Sequence, residues 1–256
     1  MARQALGVLI VHGFSSSLDC VRGVEPPLQA LGLPTHMPTL RGHGGESPEA
    51  LGGVFWQDWV ADAEAALQDL LTEAQRAIVF GHSMGGLVTL TLAAAHEEVI
   101  DSIVVAAAAV QLASPLAPGR PLHFLAPLVV RLRDKIDMPP KYADPKLAQY
   151  DTNYPWVPTD AVLSLFEFGE VTRRRLPEVR VPTLIMQSRN DSTVAPESAV
   201  IICEGISTPP ERKRIVWFEK TEHEMFRDCE CKAAVDTVVN WVQKRMDLVA
   251  QGIGSE

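Results

Sequence analysis

Short apolar runs alternate along the chain with longer stretches in which apolar residues recur every three to four positions. That is the pattern of strand–helix–strand units around a parallel sheet buried on both faces. Leu6 to Val11 reads as the first buried strand, and Leu33 to Met37, bracketed by Pro34 and Pro38, as a second. Between them Cys20 to Leu31 carries Val24, Leu28 and Leu31 at helical spacing and is expected to form a crossover helix. From Gln57 to Glu73 the residues Trp59, Ala63, Ala66, Leu67, Leu70 and Leu71 fall on one helical face, while Asp58, Asp62, Glu64 and Asp69 take the other. Ala77 to Phe80 then reads as a strand, Met84 to Ala95 as a helix and Ile103 to Ala109 as a further buried strand.

The alternation breaks between Leu112 and Pro177, a stretch dense in proline with helical patches only at 122–132 and 159–175. It resumes with a strand at Thr183 to Gln187, a helix at Pro196 to Gly205, a strand at Arg214 to Phe218 and a closing helix at Cys229 to Met246. The expectation is an α/β core made of residues 1–111 and 178–256, with 112–177 inserted as a cap. Phe124, Leu125, Leu128, Leu132, Leu165 and Phe166 have the spacing of a small packed core of the cap.

Composition narrows the partners. Lys and Arg number 23 against 32 Asp and Glu, a net charge of −9, which disfavours a continuous track for nucleic-acid phosphates. The longest apolar run, Ile103 to Val110, is far short of the ~20 residues that span a bilayer, so no membrane helix is expected. The amino terminus lacks a small-residue cleavage site and runs directly into a core strand, which points to a cytoplasmic address. Cys20, Cys203, Cys229 and Cys231 have neither disulfide-scaffold density nor zinc-site spacing and read as reduced, structural thiols.

The strongest chemical signal is Gly81-His82-Ser83-Met84-Gly85-Gly86, a G-x-S-x-G sequence directly after a strand and directly before a helix. A turn of that kind holds the serine in a strained conformation with its hydroxyl exposed at the carboxyl edge of the sheet, and the glycines remove side chains that would collide there. A serine hydroxyl needs a base, and a base needs an orienting carboxylate. Of the seven histidines, His223 follows the last predicted strand on a loop returning to that edge, whereas His82, beside the serine on a sharp turn, reads as a residue that packs against the site or supports it from behind. Asp191 follows the strand Thr183 to Gln187, and that anchorage favours it over Glu222 and Asp228, which lie nearer His223 in sequence. The oxyanion of an acyl-transfer intermediate would be held by the backbone N–H groups of Phe14, at the end of the first strand, and Met84, at the start of the helix.

Taken together, His12-Gly13-Phe14, Arg41-Gly42-His43-Gly44, the serine motif, Asn190-Asp191 and the late His223 resemble the α/β-hydrolase superfamily, most closely its small bacterial carboxylesterases and monoacylglycerol lipases. The order Ser83, Asp191, His223 is the order of that superfamily's triad. The resemblance implies a largely parallel sheet, here shortened to about six strands, a small lid, and hydrolysis of carboxylic esters with neither cofactor nor metal. The monoacylglycerol lipases it resembles carry an acidic cap residue that recognises the glycerol head. The corresponding stretch here is Tyr154-Pro155-Trp156-Val157-Pro158, with proline in the acid's place, so Asp151 or Glu167 is the alternative source of that contact. Relatives also carry a small or β-branched residue where Glu224 follows His223, and a carboxylate there raises the pKa of the imidazole if it turns inward.

The resulting expectation is a serine carboxylesterase acting on uncharged esters with short to medium acyl chains, monoacylglycerols included, as a monomer or small homo-oligomer. Phe124, Leu125, Leu128, Trp156 and Phe166 are the expected substrate-binding residues of the cap. An acyltransferase, thioesterase or perhydrolase using the same three side chains remains open, as does a ligand receptor on the same fold.

Overall fold

A buried parallel strand presents successive side chains to opposite faces, so an unbroken apolar run fills two cores at once. In the computed structural model, which describes residues 3–45, 47–126, 128 and 132–252, the first strand does this. Along β1 (Gln4–Val11), Leu9 and Val11 enter one apolar cluster while Val8 and Ile10 enter the other. The chain continues through α1 (Asp19–Arg22), α2 (Glu25–Ala30), β2 (Thr35–His36), α3 (Trp56–Glu73), β3 (Ala74–His82), α4 (Met84–Ala95) and β4 (Ile100–Ala106). After β5 (Lys135–Asp137), β6 (Trp156–Pro158) and α5 (Thr159–Arg175) come β7 (Thr183–Ser188), α6 (Glu197–Gly205), β8 (Lys213–Phe218) and α7 (Cys231–Ala250).

Six strands make one sheet in the order β2-β1-β3-β4-β7-β8, every pairing parallel. One face is covered by α3, α4, α5 and α6, through residues such as Trp59, Leu67, Leu87, Val88, Phe168 and Ile202. The other is covered by α1, α2 and α7, through Val21, Leu28, Ala234, Val238 and Val242. Each fully buried aliphatic side chain of this kind contributes roughly 1.5–3 kcal/mol.

Three elements differ from the sequence reading. The crossover expected over Cys20–Leu31 is two short helices, because Pro26 and Pro27 lack the N–H groups that would bond back across Gly23. The second strand keeps only Thr35 and His36, since the prolines on either side cannot extend its ladder. The strand expected at 103–109 runs from Ile100 to Ala106 and ends where Ala107 turns to φ 45°.

Within 112–177, β5 and β6 form a separate antiparallel pair. The patch expected at 122–132 begins as a 3-10 turn at His123–Leu125, and residues 127 and 129–131 lie outside those described. Phe124, Leu128 and Leu132 are exposed, so the small core expected of the cap does not form around them. Leu165 and Phe168 of α5 instead join the main cluster, where Phe168 stacks on Trp56 at 5.1 Å. The Tyr154 backbone N–H donates to the Ser15 carbonyl at 2.8 Å, and its hydroxyl accepts from Gly45 N–H at 3.0 Å, tying this segment to the loops after β1 and β2.

Candidate active site

Ser83 stands between β3 and α4 with φ 56° and ψ −116°, a left-handed conformation that an L-residue holds only when its surroundings impose it. The surroundings are the glycines. A Cβ on Gly81 would lie 2.1 Å from the Gly85 carbonyl oxygen, and one on Gly85 would lie 2.3 Å from that of Val11. The turn can therefore press against β1 only with no side chain at either position. Ser15 and Ala107 are the other non-glycine residues at positive φ among the described residues, and Ser15 borders the same cleft.

The loops after β7 and β8 bring two further side chains to this turn. His223 Nε2 lies 3.1 Å from Ser83 Oγ, and its Nδ1 lies 2.9 Å from Asp191 Oδ2. The other carboxylate oxygen, Oδ1, accepts the backbone N–H groups of Thr193 at 2.9 Å and Val194 at 2.8 Å. Burial pushes the Asp191 carboxyl up, but His223 and these N–H groups outweigh it and hold the carboxyl below its ordinary range. Burial by itself lowers an imidazolium. At His223 the charge of Asp191, their hydrogen bond, and the carboxylates of Glu224 and Glu222 reverse that effect and lift the pKa from 6.5 to about 9.

Glu222 and Asp228, the rival carboxylates in the sequence, organise the loop instead. Glu222 accepts from the Ser192 backbone N–H at 3.0 Å. Asp228 is buried and accepts the N–H groups of Glu222 at 2.7 Å and Ala143 at 2.8 Å.

His82 takes the supporting role of its two expected ones. Its Nε2 donates to the carbonyl oxygen of His223 at 3.0 Å, a direct strut from the serine turn to the histidine loop. A sequence shows which side chains neighbours on a turn present, but not which distant backbone they meet. Three histidines here are buried and neutral. Burial lowers His12 to about 4, and burial with a neighbouring imidazole lowers His43 and His82 to about 3. Protonating either of the last two would bury an N–H with no acceptor, since His43 Nε2 and His82 Nδ1 have no partner among the described residues.

The unfolded chain, with ordinary values near 6.5, takes up protons at these three rings that the folded chain refuses, so their contribution is complete above that pH and falls below it, whereas His223, raised to about 9, loses its contribution as the pH rises from 6.5 to 9. The expected slope is about 1.4 kcal/mol per pH unit for each of the three between roughly pH 6 and 4. Urea unfolding at pH 7 and pH 5 measures it, and an unchanged free energy would contradict the burial of these rings.

The loop after β1 is fixed from behind. His12 Nδ1 donates to the Gly13 carbonyl at 2.8 Å, and its Nε2 accepts the Leu40 N–H at 3.0 Å. Phe14 packs edge-on against His43 and Trp59. Arg41 pairs with Asp58 and Asp62 of α3 and anchors the Arg41-Gly42-His43-Gly44 loop that carries His43. The N–H of Met84, first residue of α4, has no acceptor within its own helix.

Ser83 and His223 open on a cleft that is continuous with solvent. Phe14, Leu112, Met138, Pro139 and Leu165 form its apolar side, and Lys141, Asp151, Asn153 and Glu224 its polar side. The five cap residues expected to bind substrate do not line it. Phe124 and Leu128 face solvent, Leu125 lies in the 3-10 turn, Trp156 packs under Lys135, and Phe166 borders a separate crevice with Val110 and Pro118. Helical spacing identifies a shared face but not the surface that covers it. Glu224, by contrast, does turn inward. Among the described residues no cluster of His, Cys, Asp or Glu is placed to hold a metal ion, and no helix is long and apolar enough to cross a membrane.

Residues 3–230 match the family described as serine aminopeptidase, S33. The chain is 31% identical to the thermostable monoacylglycerol lipase of Bacillus sp. (strain H-257) over 220 residues, 85% of this chain and 82% of that one. It is 24% identical to the carboxylesterase of Bacillus subtilis (strain 168), covering 93% and 92% of the two chains. A solved structure from the metagenome-derived lipolytic enzymes LipS and LipT superposes with a TM-score of 0.85 at 25% identity, over 95% of each chain.

Proposed function

The chain belongs to the serine aminopeptidase S33 family of α/β-hydrolases, and on that premise we propose that it hydrolyses carboxylic esters through a covalent acyl-enzyme on Ser83. The observation that carries this reading is the continuous relay from Ser83 Oγ through both ring nitrogens of His223 to Asp191, opening on a solvent-connected cleft. Similarity to a monoacylglycerol lipase and to a carboxylesterase supports esters as the substrate class.

In the first half-reaction His223 Nε2 takes the proton of Ser83 as its oxygen bonds to the ester carbonyl carbon. Asp191 keeps the proton of Nδ1 in place and offsets the imidazolium charge. The carbonyl oxygen becomes an oxyanion, held by the N–H groups of Met84 and Phe14. Met84 contributes at the positive end of α4 as well as through its donor. The intermediate collapses as His223 returns the proton to the departing alcohol. Water then repeats the sequence on the acyl-enzyme and releases the acid. Residues 112–177 serve as the cap: their 138–153 stretch and α5 wall the cleft, and the apolar side takes a short to medium acyl chain.

A fluorophosphonate is expected to add one phosphonyl group, located on Ser83 by peptide mass spectrometry, and p-nitrophenyl butyrate to turn over faster than the laurate. His223 acts only when neutral, and its imidazolium is stabilised up to about pH 9, so kcat/KM is expected to rise from pH 7 to 9 rather than level off near 6.5. Labelling at another residue would contradict the assignment of Ser83, and a flat profile across that range would contradict the raised pKa of His223.

A further inference from the structure

Two acceptor oxygens on the polar side of the cleft have no donor among the described residues. Glu224, 5% exposed and next in sequence to His223, uses Oε1 to accept from Asn153 Nδ2 at 2.9 Å. Its Oε2 is buried with no hydrogen-bond partner, and so is Oδ1 of the same Asn153. Both residues line the cleft that holds Ser83. The nearby cations are engaged elsewhere, since Lys141 donates to Ser192 Oγ at 3.1 Å and Arg227 pairs with Asp151 at 3.3 Å. No Lys or Arg among the described residues forms an ion pair with Glu224.

A buried carboxylate with an unbonded oxygen is ordinarily paired or protonated. Burial, the largest effect, and Asp151 push the Glu224 carboxyl up against the opposing charges of His223 and Arg227 and the hydrogen bond from Asn153. A group that carries both positive charge and N–H donors satisfies the carboxylate and the amide oxygen together. A hydroxyl supplies a donor but no countercharge, and it brings a lone pair of its own.

We propose that Glu224 and Asn153 form a subsite for a protonated amine on the substrate, so that the preferred esters carry an ammonium group close to the scissile bond. This rests on the ester-hydrolase reading and departs from the uncharged substrates expected from sequence. The acid comes from the loop that bears His223 and not from the cap position that Pro155 occupies.

Four butyrates of matched acyl group test it: those of N,N-dimethylethanolamine, choline, 3-methylbutanol and glycerol. The dimethylaminoethyl ester is expected to exceed its neutral isostere, the 3-methylbutyl ester, by tenfold or more in kcat/KM at neutral pH. The choline ester, charged but without an N–H, falls between them. In Glu224→Gln the ratio of dimethylaminoethyl to 3-methylbutyl ester is expected to fall towards one, and because it is a ratio, any general loss of activity cancels. In Asn153→Leu the advantage of the dimethylaminoethyl over the choline ester is expected to shrink. Calorimetric binding of the same esters to Ser83→Ala reads the preference without turnover, so it decides the subsite even if the wild type fails to cleave p-nitrophenyl butyrate and the hydrolase reading falls. Equal affinity for the amine and its neutral isostere, a preference for the glycerol ester over the amine, or a ratio unchanged in Glu224→Gln would each overturn the proposal.

Discussion

Replacing Ser83 by alanine is expected to lower kcat for p-nitrophenyl butyrate by about 10⁶-fold, with KM changed little. On the proposed mechanism the side chain removed is the one that receives the acyl carbon: His223 Nε2 is aimed at Ser83 Oγ at 3.1 Å, and among the described residues no second hydroxyl is bonded to it. Substrate contacts on the cleft walls are untouched, so binding survives while bond formation does not. Residual hydrolysis of about 10³-fold over water should remain from the oxyanion donors, with water attacking directly. The backbone strain at residue 83 is set by the flanking glycines, and alanine bears it as serine does, so the variant should fold with an unchanged urea midpoint. Steady-state kinetics together with loss of fluorophosphonate labelling measure the effect. Retention of even a hundredth of wild-type kcat would remove Ser83 from the chemistry.

The second large effect is expected for Asp191→Asn, about 10⁴-fold in kcat. Asp191 Oδ2 accepts from His223 and from Gln187 Nε2 at 3.2 Å, while Oδ1 accepts two backbone N–H groups. An asparagine has one acceptor oxygen for these two sets of donors. If its oxygen stays with Thr193 and Val194, its NH₂ faces Nδ1, and the imidazole must place its proton on Nε2, where it can no longer accept one from Ser83. If it flips, two backbone donors are stranded in a buried loop, at a cost of about 1–3 kcal/mol each. The first arrangement is the cheaper, so the loss should appear mainly in kcat and ease at high pH, where hydroxide can compete. A tenfold effect or less would mean that His223 is oriented by something other than Asp191.

The parts of this arrangement that were readable in the sequence share one property: their geometry is fixed by regular backbone. Gly81-His82-Ser83-Met84-Gly85 has its meaning because a strand must end and a helix must begin around it, and both neighbours have clear periodicity. Asp191 and His223 were reachable because each follows a strand whose side of the sheet is set by parallel pairing. The polar wall was not. Lys141, Asp151 and Asn153 lie on irregular chain between two short strands, and no spacing rule gives the direction of a side chain there. The cap residues Phe124 and Leu128 have helical spacing but too little opposing surface to cover them. Glu224 was visible as a departure from its relatives, but its inward turn depends on Asn153, 71 positions away.

Those separations also bear on the life of the polypeptide before it is finished. Ser83 and His223 are 140 positions apart, and β8, which delivers the histidine, is the last strand to be made. On the ribosome the hydroxyl therefore emerges long before anything can deprotonate it, while the sheet is still open along β7. On the proposed function, the growing protein has no activated serine until its final quarter has docked, and chemical competence then reports that folding is complete.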